Sequence, residues 1–157
     1  MRTIKSIVFA DARDQVPAAL SHHLDEAGYR LTYMTDGSDV LWRCESNPPD
    51  LLILDTRLRD MDGLDVCRYL RDCSFCAEMP ILVLTEADDK LTRHYARQMT
   101  QFVGADYFLA KPYDPIILLQ VIDDILRGNR RRRARRDSRF PTRVVWPTNC
   151  ALAGARD

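Results

Sequence analysis

Two periods of apolar spacing alternate along this chain. Continuous apolar runs recur at Ile7-Val8-Phe9-Ala10, Leu51-Leu52-Ile53-Leu54, Ile81-Leu82-Val83-Leu84 and Tyr107-Phe108-Leu109-Ala110. Runs of that length suit buried strands of a parallel sheet covered on both faces. Residues 30–35 alternate polar and apolar, which predicts a half-exposed strand near the sheet edge. Between the strands the spacing lengthens to three and four. Val16, Leu20, Leu24 and Ala27 predict a helix over 12–27, with Pro17 near its start and Gly28 at its end. Val40, Leu41 and Cys44 predict a helix over 38–45, capped by Ser38 after the Asp36-Gly37 turn. Further helices are predicted over 63–71, 86–103 and 114–126, the last stopped at Gly128-Asn129. Five strands alternating with five helices give a parallel α/β sheet with helices on both faces.

Four of the strands close on side chains that can do chemistry: Asp11, Asp55, Thr85 and Lys111. Carboxyl ends of parallel strands share one edge, so these groups converge. Asp55 alone could be a loop acid capping the next helix. Its companions support a second reading. Two carboxylates suit Mg²⁺, which prefers oxygen ligands and keeps several waters. A carboxylate can attack phosphorus as a nucleophile, while a cation, an ammonium and a hydroxyl stabilise the oxygens of the transferring group.

The order and spacing of these residues resemble the receiver domain of bacterial two-component response regulators, over residues about 4–127. The resemblance rests on Ile7 to Asp11, Asp50 to Asp55 with Met61-Asp62-Gly63-Leu64, Pro80 to Thr85, and Gly104-Ala105-Asp106 with Lys111-Pro112. It implies a flavodoxin-like fold with a five-stranded parallel sheet in the order 2-1-3-4-5. It implies that Asp55 accepts a phosphoryl group from a histidine kinase or phosphotransfer protein, and that Thr85 and Lys111 contact that group. Such a module is not an enzyme beyond self-phosphorylation from a donor phosphohistidine. Asp11, Asp55 and the Arg57 carbonyl would hold Mg²⁺. Phe108 stands where the family has a switching aromatic. The switched surface, also a candidate homodimer face, would be the helix around Lys90 to Arg97, the fifth strand and the last helix.

Three positions and one interval depart from the family pattern. Counting back from Gly28-Tyr29, Asp11 aligns with the first of two adjacent acids and Ala12 with the second, so the resemblance implies a weakened Mg²⁺ site. Asp14 is nearby in sequence but is expected to point away. Glu86 follows Thr85 where the family prefers a small residue. It could repel a phosphoryl group, pair with Arg13 or Arg57, or supply a metal ligand. Arg59 replaces a usual Pro, and the Thr85-to-Lys111 interval is about four residues longer than usual, roughly one helical turn. The alternative function is therefore a pseudo-receiver, unphosphorylated and acting as a constitutive protein-interaction module.

Charge divides the chain. Residues 127–157 carry ten Arg and two Asp, leaving 13 basic and 21 acidic residues in 1–126, a net of −8 against the overall zero. A receiver over 1–127 with a flexible basic tail or linker over 128–157 is expected. The tail suits a polyanion such as nucleic acid. Arg135, Arg136 and Arg139 before Phe140-Pro141, with Asn149 to Gly154 later, are also similar to the start of PilZ domains, which bind cyclic di-GMP. Only nine residues separate Arg139 from Asn149, few for the strands between those motifs. Five unevenly spaced cysteines (44, 67, 73, 76 and 150) give no disulfide framework, and Cys73-x-x-Cys76 has no partner pair for a metal. Without a long apolar run or a signal-like N-terminus, a cytoplasmic protein is expected.

Overall fold

The apolar runs sit at the centre because no polar side chain interrupts them. Every residue from Leu51 to Leu54 and from Ile81 to Leu84 is fully buried. The computed structural model describes residues 4–13, 17–86, 104–132 and 143–145. Its elements are β1 (Lys5–Ala10), α1 (Ala18–Glu26), β2 (Tyr29–Met34), α2 (Gly37–Ser46), β3 (Leu51–Asp55), α3 (Gly63–Asp72), β4 (Ile81–Glu86), β5 (Tyr107–Lys111), α4 (Pro115–Arg132) and β6 (Arg143–Val145). All pairings are parallel, in the order β2-β1-β3-β4-β5-β6. The flavodoxin-like order 2-1-3-4-5 therefore holds, with a sixth strand added beside β5.

Side chains alternate between two cores. One, on the α2–α3 face, gathers Val8, Leu52, Leu54, Val83 and Phe108 with Val40, Val66 and Leu70. The other, on the α1–α4 face, gathers Ile7, Phe9, Ile53, Leu82 and Leu84 with Leu20, Leu24, Leu118 and Ile122. Both faces of the sheet are thus covered, as continuous apolar strands require.

Several boundaries differ from the sequence reading, among them Glu86, which ends β4 and does not open a helix. The first helix begins at Ala18 with Pro17 as its N-cap, because a fixed proline φ suits the cap better than the helix interior. The second begins at Gly37. Its first free N–H groups are held by a distant carboxylate: Asp60 accepts Gly37 N–H at 2.5 Å and Ser38 N–H at 3.1 Å. Gly128-Asn129 does not stop the last helix, which runs on to Arg132. Arg143–Val145, expected in a linker, pairs with Tyr107–Leu109.

Candidate functional site

Register fixes how the strand ends meet. Ala10 pairs with Leu54 and Asp55 with Leu84, which pairs in turn with Leu109. Asp11 and Asp55 thus stand side by side at the carboxyl edge. Thr85, partly buried, lies one residue further along β4, opposite Ala110, and Glu86 lies opposite Lys111. The Asp55 backbone is set by a close approach: a Cβ on Gly63 would overlap the Asp55 carbonyl oxygen, and Gly63 N–H donates to Thr56 O at 3.0 Å. Asp62, not Asp55, caps α3, accepting Leu64 N–H at 2.7 Å.

Asp55 is 3% exposed and is the buried charged residue among those described. A buried carboxylate needs partners, and it has two. Arg57 N–H donates to Oδ1 at 2.9 Å, and Lys111 Nζ donates to Oδ2. Lys111 Nζ also stands 3.8 Å from Asp11 Oδ2. Asp11 Oδ1 accepts Arg13 N–H at 3.1 Å, and the Tyr33 hydroxyl donates to the Asp11 carbonyl at 3.2 Å. The Lys111–Pro112 peptide is cis.

Glu86 makes the ion pairs that the sequence left open. Its Oε1 lies 3.6 Å from Arg13 and its Oε2 3.5 Å from Arg57. It therefore ties the loop after β1 to the loop after β3, across the edge that carries Asp55. The sequence reading overlooked two further residues. Tyr113, two beyond Lys111, has its phenol pushed up by burial and then by the charges of Asp11 and Asp55. Its position just past a strand-end lysine was the available signal. Arg71, at the end of α3, donates to the carbonyls of Gly104 (2.5 Å), Cys76 (3.2 Å), Ala77 (3.3 Å) and Met79 (2.7 Å) and to Asp106 Oδ2 (2.8 Å). An arginine in an otherwise amphipathic last turn gave no hint of those partners.

The donor set of Asp11, Asp55 and the Arg57 carbonyl is hard oxygen, which fits a divalent cation that keeps several waters. The Arg57 carbonyl already accepts Ala12 N–H at 3.1 Å, so one lone pair remains to it. Among the described residues no cluster of three or more acidic, His or Cys side chains is placed to hold a metal. Phe108 is buried against the α2–α3 core. Asp14, the segment 87–103 with its Lys90 to Arg97 surface, and Arg135, Arg136 and Arg139 lie outside the described residues.

Comparison with known proteins identifies the family. The family model described as the response regulator receiver domain matches residues 7–123. The chain belongs to the response regulator receiver family. It is 32% identical over 111 residues to the alkaline phosphatase synthesis transcriptional regulatory protein PhoP of Bacillus subtilis, covering 71% of this chain and 44% of that one. It is 32% identical over 123 residues to the transcriptional regulatory protein GltR of Pseudomonas aeruginosa, covering 78% and 49%. The chain thus spans under half the length of these relatives. The chemotaxis response regulator CheY4 of Vibrio cholerae superposes with a TM-score of 0.68 at 26% identity, over 78% of this chain and 99% of that one. A CheY-like receiver domain from Methanospirillum hungatei shares the fold with a TM-score of 0.70 at 20% identity, over 83% and 99%.

Receiver domains of two-component systems take a phosphoryl group on an aspartate from histidine kinases or phosphotransfer proteins, typically with Mg²⁺. Among the described residues, no helix is long and apolar enough to cross a membrane.

Proposed function

We propose that Asp55 is the phosphoacceptor of this receiver. An oxygen of its carboxylate attacks the phosphorus of a donor phosphohistidine. An O–P bond forms, the N–P bond breaks, and the imidazole leaves with the electron pair and takes up a proton. Lys111 balances the charge gathered on the phosphoryl oxygens. The Thr85 hydroxyl donates to one of those oxygens, and the Arg57 N–H holds the Asp55 carboxylate in orientation. The observation that carries this reading is Lys111 Nζ donating to the buried Asp55 carboxylate, with Asp11 alongside.

Asp11, Asp55 and the Arg57 carbonyl would hold the divalent cation, which when bound supplies positive charge to the incoming phosphoryl group. Because Ala12 offers no carboxylate, affinity for the cation falls by about ten- to a hundredfold relative to a site with both acids. Phe108 changes its side-chain position with the state of the site, and the helix expected around Lys90 to Arg97, β5 and α4 form the surface that a partner or a second copy reads. Arg143–Val145 lies between the two stretches that resemble a PilZ start, and its pairing with β5 favours a place in the receiver's own sheet over cyclic di-GMP binding.

Acetyl phosphate with excess Mg²⁺, followed by intact mass, tests the assignment. The expected outcome is one phosphoryl group on the wild type and none on Asp55→Asn. A wild type that gains nothing would instead leave a constitutive interaction module.

A further inference from the structure

We propose that Cys73 and Cys76 are a reversible dithiol–disulfide pair, closed by exchange with a small disulfide, and that closing it releases the carboxyl end of α2. The phosphoryl chemistry at Asp55 uses neither thiol. The described cysteines are free, and Cys73 alone among them is partly exposed. Cys73 and Cys76 are the two ends of one tight turn after α3, in which Cys76 N–H donates to Cys73 O at 3.1 Å. Such a turn holds its end Cα atoms under about 7 Å apart, and a disulfide spans about 4.4–6.8 Å between Cα atoms. The two side chains also hydrogen-bond to each other. Cys44 and Cys67 are buried within α2 and α3, out of reach of a small disulfide.

The Cys76 thiol has a second partner. It donates to Cys44 O at 3.3 Å, a carbonyl in the last turn of α2. In a continuing helix that carbonyl would take the N–H four residues on, but Pro48 stands there and has none. Cys44 is fully buried, so water does not reach this oxygen. The thiol thus satisfies an acceptor at a helix end that would otherwise stay bare. A disulfide sulfur carries no proton, so oxidation removes this donor. Arg71 meanwhile donates to Cys76 O at 3.2 Å and Ala77 O at 3.3 Å, which holds the turn in place while its sulfurs react.

Cys73, the partly exposed member, attacks first. As the thiolate it displaces one thiolate from the small disulfide and forms an S–S bond to the other half. Cys76 then loses its proton and attacks the Cys73 sulfur, and the second thiolate leaves with the electron pair. The protein gives up two electrons and two protons, and the small disulfide becomes two thiols. Burial, then the hydrogen bond to Cys73, pushes the Cys76 thiol up to about 11 from 9.0. That suits Cys76 to the second step, where the target sulfur is already beside it, and not to the first.

Incubating the reduced full chain with oxidised glutathione, blocking free thiols with N-ethylmaleimide in denaturant and digesting with trypsin tests this. Residues 72–90 form one tryptic peptide, in which Cys73 and Cys76 are the cysteines. The expected peptide is unblocked and lighter than the dithiol by two hydrogens, and dithiothreitol restores it. Cys76→Ser should stop at a glutathione adduct on Cys73, and Cys73→Ser should take up no glutathione at Cys76. Should Cys76→Ser fail to fold, Cys73→Ser changes a partly exposed site and still carries the comparison. Backbone amides in the last turn of α2 should exchange hydrogen about three- to tenfold faster in the disulfide form. Cys73→Ser, treated with oxidised glutathione in the same way, should show no such change. The proposal is overturned if both thiols of the wild type remain open to blocking, if a glutathione adduct persists on wild-type Cys73, or if Cys73 pairs with Cys44, Cys67 or Cys150. Unchanged exchange in α2 of the disulfide form overturns it as well. Asp55→Asn should close the disulfide as the wild type does, so this result and the Asp55 assignment stand or fall separately.

Discussion

Glu86 holds Arg13 and Arg57 on the edge where the proposed reaction brings in an anionic phosphoryl donor. Exposed ion pairs contribute little to stability, so the proposed reaction is where its charge would be felt. Glu86→Gln releases two guanidinium groups and removes one negative charge. We expect acetyl phosphate to label Asp55 about three- to tenfold faster in this variant at low salt, with the gain fading as salt rises. Time-resolved intact mass measures it; slower labelling would show that Glu86 supports the cation instead. Asp11, Asp55 and Lys111 were legible in the sequence because each closes an apolar run, and parallel register brings such closures together. Tyr113 was not, since it lies past a strand end where no period reports a side chain's direction.

At the scale of elements, Arg71 joins the end of α3 to the chain before β4 and the chain before β5. Its side chain, 17% exposed, satisfies four carbonyls, and its partner Asp106 also takes Ile81 N–H at 3.0 Å. Arg71→Ala should destabilise the fold by about 3 kcal/mol, because a half-buried carboxylate and several carbonyls lose their donor together. Urea unfolding with an unchanged m-value checks this. Arg71→Lys should recover little, since an ammonium cannot span those acceptors. Periodicity showed α3 but not this junction, which depends on loop carbonyls whose directions no residue type encodes. The end of α4 was misplaced for a related reason. Gly128 lowers helix propensity by about 1 kcal/mol, a weak signal that neighbouring structure overrides. The first three elements of the sheet, by contrast, needed nothing beyond apolar spacing and the glycine at 28, whose φ is +81°.

For the whole molecule, buried weak acids set the alkaline limit. Burial, then the hydrogen bond to Asp123, pushes the Tyr29 phenol up to about 12 from 10.0. Burial pushes the Cys44 thiol up to about 12, and the thiols of Cys67 and Cys76 to about 11, from 9.0. Each folded-state value lies above its unfolded one, so the folded chain binds these protons more tightly. Their contribution is complete below pH 9.0 and is lost as pH rises through about 11 to 12. Thermal midpoints should therefore hold from neutral pH to about 9 and then fall steeply, with the phenolate absorbance of Tyr29 appearing along with unfolding. Scanning calorimetry with ultraviolet absorbance follows both.

The sixth strand has a consequence for how the molecule is cut. β5 carries Phe108 and Lys111, and with Arg143–Val145 beside it, it is an interior strand. Shortening the chain to end at Arg132 would strip this outer wall from the sheet. What remained would end on β5, with a row of unpaired backbone groups of the kind that recruits other chains. Such a truncation would turn a module with a covered β5 into one that sticks to its own copies, with Asp55 and its neighbours left intact.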